Sequence, residues 1–505
     1  MRDMAHIPSP LSMFRSIISL LSGKQNNSNI NRELPFTVML FTLMSASGVA
    51  VYDSWKKMCR VNLLPETQKE AKEMLRQVDV LGYDPLTVMY KKAEETTSKT
   101  YRDFLAGYVS SIRSGSNVVN FLRSKLRSIL DVQSATAFRS IERLGTLVEA
   151  YAVMMIVTLC VYILYVVMSA TAPSEYLSVG LSTSTSEPLM YALIFLGTPF
   201  ITIVFMAIAN LARQSTLISV KEAYRIAAIS GIATLGIFIA AILLPQLGFI
   251  VEMVTLPGFV TLCLMPISIP AALIYQKIAR ANSAAEESMP NFLRDVTESR
   301  KIGLSPVKSI VHATERTDYG SFNRVLKSIR SQIEWGVPLR KIFGNIKKHI
   351  RSWPVLIYFL ILIETIEFGG GSARALEILS DYSEKNKQIE ADKRSTLKPY
   401  VMLAFVWSVL IALTTSIVAI TIYTLTQITV PGGSPATLGP LEQQILMFSI
   451  GIIFQCWMSG FFIGKISEGT FAAGFKYSAM LAITGYVSLF VSQNYLMESL
   501  GLVQG

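Results

Sequence analysis

Residues 34–48 read LPFTVMLFTLMSASG, and residues 289–303 read MPNFLRDVTESRKIG. Each opens on an apolar residue followed by proline, Pro35 or Pro290, and each closes on glycine thirteen residues later, Gly48 or Gly303. The first stretch decides the fold. Leu34 to Tyr52 carries no charge for nineteen residues, which is long enough to cross a bilayer. A crossing there would place the 16 Lys and Arg of 56–143 on the far side of the membrane, with no compensating span before them. The stretch is therefore expected to be a buried helix of a soluble bundle, and its charged counterpart at 289–303 is the same helix in a second copy.

Working outward, the apolar runs that do qualify as spans lie at roughly 147–170, 189–211, 226–248, 252–276, 399–425, 443–464 and 473–496. Each suffices to cross a hydrocarbon core of about 30 Å at 1.5 Å per helical residue. With 505 residues, half of them apolar and 16% charged, the chain reads as an all-α polytopic membrane protein with about seven transmembrane helices and two repeated cytoplasmic helical modules. The expected organisation is a flexible lead at 1–32, a first module at 33–146, a membrane block of four helices at 147–276, a second module at 277–398, and a block of three helices at 399–505. The apolar run 352–363 is too short to span and ends at Glu364.

The net charge of +11 is mostly a record of topology. Of the 46 Lys and Arg, 20 fall in 1–146 and 21 in 277–398, while 171–188, 426–442 and 497–505 have none. Under the positive-inside rule the N-terminus and both modules are cytoplasmic and the C-terminus is outside. Nucleic acid is not an expected partner. The four cysteines are scattered and show neither a disulfide framework nor metal-ligand spacing. The histidines His6, His312 and His349 are far apart. No cofactor, metal or catalytic residue is expected, and the chain does not read as an enzyme. No Walker A sequence occurs, and Gly464-Lys465-Ile466-Ser467 lacks the upstream glycine. Gly369-Gly370-Gly371 reads as a helix–helix turn, and Glu364 with Glu367 reads as a solvated helix face. Asn26-Asn27-Ser28 would be an idle cytoplasmic sequon.

Within the modules, Gly82-Tyr83-Asp84-Pro85 predicts a turn with Asp84 as helix cap and Pro85 at the first helical position. Tyr101, Phe104, Leu105, Tyr108 and Ile112 recur at helical steps and end at Gly115. The second copy has a helix ending at Gly336, and Pro338 begins the next. Gly115 is expected to correspond to Gly336, so that Val118, Phe121 and Leu122 match Leu339, Ile342 and Phe343. Gly48 to Gly115 is then 67 residues against 33 from Gly303 to Gly336, which implies an inserted helical hairpin near 56–90 of the first copy.

Two basic clusters then take similar places: Arg123, Lys125 and Arg127, and Arg340, Lys341, Lys347, Lys348 and Arg351. Such clusters serve either attraction to anionic membrane lipid, at about 1 kcal/mol per residue near the surface, or docking of an acidic partner. In the sixth span, Gly460 and Gly464 allow two helix backbones to approach closely, within the chain or between two chains. Ionisable residues deep in the spans are scarce, which argues against ion-coupled transport.

The repeated opening phrase, the glycines Gly115 and Gly336 followed by apolar steps, and Leu397-Lys398-Pro399-Tyr400 entering a span resemble the type II secretion F family over about 33–160 and 288–425. The four-plus-three arrangement of spans resembles the archaeal branch, which includes the archaellum and adhesion-pilus platforms. That resemblance implies a scaffold in the cytoplasmic membrane, without its own catalysis and dimeric. A hexameric secretion ATPase would dock on the modules, and pilin-like or archaellin subunits would pass from membrane to filament. A secondary transporter is the alternative of another class, although transporter repeats lie in the spans. A motor-free membrane anchor is a third reading.

Overall fold

The computed structural model describes residues 30–171, 191–212, 220–243, 256–315, 319–369, 372–429 and 439–499. The expected lead up to residue 29, the sequon, residues 244–255 of the third and fourth spans and the extreme C-terminus lie outside the described residues. The helices are α1 (30–46), α2 (Val51–Met58), α3 (Pro65–Leu81), α4 (Pro85–Glu95), α5 (Lys99–Arg113) and α6 (Val118–Thr171). They continue with α7 (Thr198–Ala212, preceded by a π-turn at Leu193–Gly197), α8 (Lys221–Leu243), α9 (Leu256–Lys301), α10 (Pro306–Glu315) and α11 (Asn323–Glu334). The remainder are α12 (Leu339–His349), α13 (Trp353–Gly369), α14 (Ala373–Thr429), α15 (Gly439–Glu468) and α16 (Phe471–Ser499). Among the described residues there is no strand, as an all-α chain requires.

Two compact units emerge. One combines the chain up to Thr136 with Ala281–Ile389, and the other combines Ala137–Arg280 with Glu390–Gly505. In the first unit the uncharged stretch is buried over 34–44, with Leu34, Val38, Met39, Leu40 and Phe41 all in a continuous core, while 45–52 turn at the surface into α2. Pro35 and Pro290 are buried at equivalent places in α1 and α9.

The two copies match helix for helix. The end of α9 corresponds to α1, and α10 to α14 correspond to α2 to α6. Three helices close on a left-handed glycine in the first copy, Gly48 (φ 75°), Gly82 (φ 69°) and Gly115 (φ 66°). This conformation spares glycine the Cβ clash that other residues meet when they terminate a helix. In the second copy Gly303 (φ 97°) and Gly336 (φ 71°) do the same, and Gly369 ends α13. Gly336 is therefore the counterpart of Gly82, not of Gly115, and equivalent residues stand 254 or 255 apart.

The expected insert near 56–90 is thus a correction. α3 and α4, of 17 and 11 residues, are matched by α11 and α12, of 12 and 11. Val118, Phe121 and Leu122 correspond to 372, 375 and 376, and not to Leu339, Ile342 and Phe343.

A hydrogen bond fixes this register independently. Ser98, the cap of α5, donates to Asn31 Oδ1 at 2.5 Å. Ser352, in the equivalent place before α13, donates to Glu286 Oε1 at 2.7 Å. The buried faces agree too: Tyr101, Phe104, Leu105, Tyr108 and Val109 of α5 correspond to the buried Val355, Tyr358, Phe359, Leu362 and Ile363 of α13. Each such large side chain stabilises the core by about 1.5–3 kcal/mol. The short run 352–363 is this central helix.

The copies are fastened to each other around Trp353. Its Nε1 donates to the carbonyl of Leu63 at 3.1 Å, its ring meets Phe36 edge-on at 5.1 Å, and Arg32 lies 4.4 Å over it. One core therefore contains residues of both modules, so both lie on the same side of any membrane. The chain between them must cross an even number of times.

In the second unit, six described helices are long and apolar enough to cross a membrane, within Val118–Val161, Leu193–Ala212, Leu256–Lys301, Ala373–Thr415, Leu446–Glu468 and Phe471–Ser492. α8 covers the described part of the third expected span. It stands with α6, α7 and α9 between the modules but is not among those six described helices. Tyr151, Thr202, Gln455 and Ser459 join α6, α7 and α15 by buried hydrogen bonds, Gln455 Nε2 reaching Thr202 Oγ1 at 2.8 Å and the Tyr151 and Ser459 hydroxyls meeting at 2.6 Å.

Gly460 and Gly464 serve packing within the chain. A Cβ on Gly460 would run into the Ser478 backbone, and one on Gly464 into the Gly474 backbone, because α15 and α16 lie backbone to backbone. The turn between them is closed by Lys465, whose Nζ donates to the Gly469 carbonyl at 3.0 Å.

Candidate docking surface

The hairpin α11–α12 begins with two amphipathic helices. Leu326 and Ile329 on α11 and Ile342, Phe343 and Ile346 on α12 are buried at three- and four-residue steps. The faces opposite carry Arg324 and Lys327 on α11 and Lys341, Lys347 and Lys348 on α12, all exposed. Between them, at the turn, stands Trp335, with 84% of its surface exposed. Residues 323–349 contain seven Lys and Arg against one Glu, a net charge of +6. Lys347 Nζ lies 4.9 Å over the Phe343 ring, so the α12 lysines sit at the edge of the core without entering it.

The structure separates the eight predicted basic residues. Arg340 is committed internally: its Nε bonds Glu367 at 2.7 Å and its guanidinium reaches Glu364 at 3.2 Å. Glu364 is consequently not on a solvated face, whereas Glu367 is exposed and pairs with the same guanidinium at the surface. Glu364 is 7% exposed, and burial pushes its carboxyl up to about 7 against the opposing pull of Arg340. Glu367 adds to that rise, while Lys57 and Arg60 of the first copy oppose it.

Arg123 is half-buried and Arg127 exposed, and both lie near carboxylates of the second copy. Arg123 acts on Glu377, its own counterpart in the second copy, and Arg127 on Asp381. The guanidinium of Arg123 is held below its ordinary range by burial and by the neighbouring Arg374 and Arg127. Lys125 pairs with Asp103 at 3.7 Å. The Arg351 backbone N–H is bound by Asn282 Oδ1 at 2.8 Å. That leaves Lys341, Lys347 and Lys348 as an exposed cluster. The two predicted clusters do not occupy similar places: the positions equivalent to 340, 341, 347 and 348 are Leu86, Thr87, Ala93 and Glu94.

Trp335 escaped the sequence reading as a functional residue. Its signal was present, because it falls outside the stripe Leu326, Ile329, Ile333 and directly precedes a helix-ending glycine. Among the described residues, no three His, Cys, Asp or Glu come together as a metal site.

Comparison with known proteins agrees with this arrangement. The family model for type II secretion system (T2SS), protein F matches twice, at residues 37–166 and 292–420. The two matches begin 255 residues apart and end 254 apart, which is the register that the helices give. An uncharacterized protein of Methanocaldococcus jannaschii is 22% identical over 490 residues, covering 92% of this chain and 80% of its own. No solved structure matches. Two matched copies covering half the chain, each ending in a membrane helix, place it: the chain belongs to the type II secretion system protein F family, the membrane platform proteins of secretion and type IV pilus systems.

Proposed function

We propose that this protein is the cytoplasmic-membrane platform of an archaeal type IV pilus-like filament, an archaellum or an adhesion pilus. Its modules face the cytoplasm and receive a hexameric secretion ATPase, and its spans hand pilin-like or archaellin subunits from the membrane to the filament. The N-terminus is cytoplasmic and the C-terminus outside, and the protein works as a homodimer whose basic margins also meet anionic lipid. The observation that carries this reading is the fused pair of modules with one basic, Trp-tipped hairpin. A body built from both copies can transmit a push to α6, α9 and α14 together, since each of those helices has one end in it. An exposed Trp on the same hairpin as exposed lysines is the composition of an interface anchor facing an acidic partner.

The test is recovery of partners from native membranes with tagged protein, comparing the natural chain with the variant Lys341→Glu, Lys347→Glu, Lys348→Glu. Arg340 is left in place because its substitution would disturb Glu364. The natural chain is expected to bring down a secretion ATPase and pilin-like subunits. The triple variant should lose about 100-fold in ATPase binding, equivalent to about 2.7 kcal/mol, while still inserting in the membrane. Failure of the natural chain to recover an ATPase, even after crosslinking, would reject the platform reading in favour of a transporter or a motor-free anchor.

A further inference from the structure

The helices α6 and α14, of 54 and 57 residues, each begin in a module and end in the membrane unit. Each contains a single residue that weakens a helix interior. In α14 it is Pro399 and in α6 it is Gly145, and neither helix holds another proline or glycine. Equivalent positions of the two helices stand 254 apart, as 123 and 377 do, so Gly145 and Pro399 are counterparts. Both stand where a span is expected to begin, at about 147 and 399.

Pro399 has no N–H to give the Ser395 carbonyl, and its ring crowds that carbonyl, so the hydrogen-bond ladder of α14 is broken there. Kinks in long helices arise at such places. Pro399 is exposed, so its side chain returns nothing through burial. Gly145 is accounted for by contact. A Cβ there would run into the hydroxyl and ring of Tyr400, the residue that follows Pro399. Ile141, Leu144 and Val148 of α6 and Leu397 of α14 are buried around this seat, and Tyr400 and Val401 pack against them. α6 thus offers a notch, and α14 places a ring in it one residue after its own break.

Packing differs on the two sides of this level. Beyond it the helices are tied to their neighbours: the Tyr151 and Ser459 hydroxyls meet at 2.6 Å, and Ser408 donates to the Leu481 carbonyl at 3.3 Å. Before it, residues 130–140 of α6 and 390–396 of α14 include none that is buried. A static crossing of two helices needs the notch and the ring but not the proline, whose effect is to release α14 from a straight course. We infer that α6 and α14 bend at Gly145 and Pro399, with Tyr400 turning in the notch, so that each helix tilts before this level while its span keeps its packing.

The experiment places spin labels, carried on unnatural amino acids, at Glu384 and Val406 of the full-length protein in detergent. Both positions are exposed, and they lie on either side of Pro399. Along a straight helix the separation of 22 residues is about 33 Å. The natural chain is expected to give a distance distribution at least twice as broad as that of Pro399→Ala, which restores the missing N–H and should leave one narrow peak. Pro399→Ala should also melt no lower than the natural chain, which separates stiffening from misfolding. Gly145→Ala, whose methyl displaces the Tyr400 ring, should shift the mean distance, and adding Tyr400→Ala, which takes the ring away, should bring it back. Equal breadth in the natural chain and Pro399→Ala, whether both narrow or both broad, would overturn the bend. An unmoved mean in Gly145→Ala would overturn the pivot.

Resting on the platform reading above, the bend serves filament assembly. In cells that make filaments, Pro399→Ala should lower filament number at least tenfold while the ATPase is still recovered. Normal filament number beside a narrowed distribution would overturn that use of the bend. If the natural chain recovers no ATPase, the platform reading fails, and the label distances still decide whether the helices bend.

Discussion

The hairpins α3–α4 and α11–α12 are built on one frame and carry opposite surfaces. Each turns on a left-handed glycine, Gly82 or Gly336, and each continues into a helix opened by proline, Pro85 or Pro338. Inside, Ala71, Met74, Val88 and Met89 play the part of Leu326, Ile329, Ile342 and Phe343. Outside, residues 65–95 carry five Lys and Arg against seven Asp and Glu, a net charge of −2, whereas residues 323–349 carry +6. Much of the first hairpin's charge is spent internally. Lys92 bridges Glu70 at 2.9 Å and Glu73 at 3.0 Å, and Asp84 accepts the Leu86 and Thr87 amides at 3.1 Å. The second hairpin leaves lysines open to solvent beside Trp335. Burial has held the two frames alike while the surfaces diverged, as the proposed docking on one copy alone would require.

The tips give the most direct means of breaking that comparison. Trp335 and Leu81 occupy equivalent positions, 84% and 60% exposed. Neither contributes much to folding, so truncation of either should leave stability within about 0.5 kcal/mol. If only the second hairpin docks, Trp335→Ala should weaken ATPase binding by about 2 kcal/mol, or roughly 30-fold. Leu81→Ala should change it less than threefold. Binding measured with purified full-length protein in detergent decides the matter. Equal losses at both tips would mean that the two copies dock together and that charge divergence is not the discriminating feature.

Much of the frame could be read from the chain. The charge argument identified a non-spanning stretch whose residues 34–44 are interior, although 45–52 lie at the surface, Asp84-Pro85 announced the start of α4, and the periodicity of Tyr101, Phe104 and Tyr108 gave the buried face of α5. The register of the repeat was misread for a physical reason. Any helix that ends in the left-handed conformation favours glycine, so Gly48, Gly82 and Gly115 in the first copy and Gly303 and Gly336 in the second offer several ways to align Gly115. The distinguishing signal lay beside the glycines, since Gly82 and Gly336 each precede a helix-opening proline within three residues and Gly115 does not. The carboxylates that stand near Arg340, Arg123 and Arg127 could not be read at all. They lie 24 to 254 residues away, brought close by packing between helices and not by any local pattern.

Glu364 sharpens the comparison from the interior. Its counterpart in the first copy is the exposed Ser110, so at this position only the second copy places a buried carboxylate, facing Arg340, Glu367 and the first copy's Lys57 and Arg60. Burial raises its pKa from 4.5 to about 7. The folded protein thus holds a proton that the unfolded chain has released. The stability this provides is complete below about pH 4.5 and falls as pH rises toward 7, with a slope of at most about 1.4 kcal/mol per pH unit. Glu364→Gln is expected to flatten that part of the profile, read as the difference in thermal unfolding between variant and natural protein across pH 5 to 8. An unchanged slope would show that Arg340 outweighs burial and keeps the carboxylate ionised throughout.

The smallest effect tests the frame itself. Ser98 and Ser352 each bind the first helix of their own copy just before its central helix, through Asn31 and Glu286. Ser98 also accepts the Tyr101 amide at 3.3 Å, so Ser98→Ala removes a helix cap and a tie between helices for about 1 kcal/mol. Ser352→Ala is expected to cost slightly more, because a hydrogen bond to a carboxylate is stronger than one to an amide. The instructive outcome is whether the two losses add. The copies share one core around Trp353, which follows Ser352 directly, while Ser98 lies in the other copy. Additive losses in denaturant unfolding would show two frames that are anchored independently and joined afterwards. A shortfall in the double variant would show that loosening one central helix already loosens the other, as a body that transmits force between its copies requires.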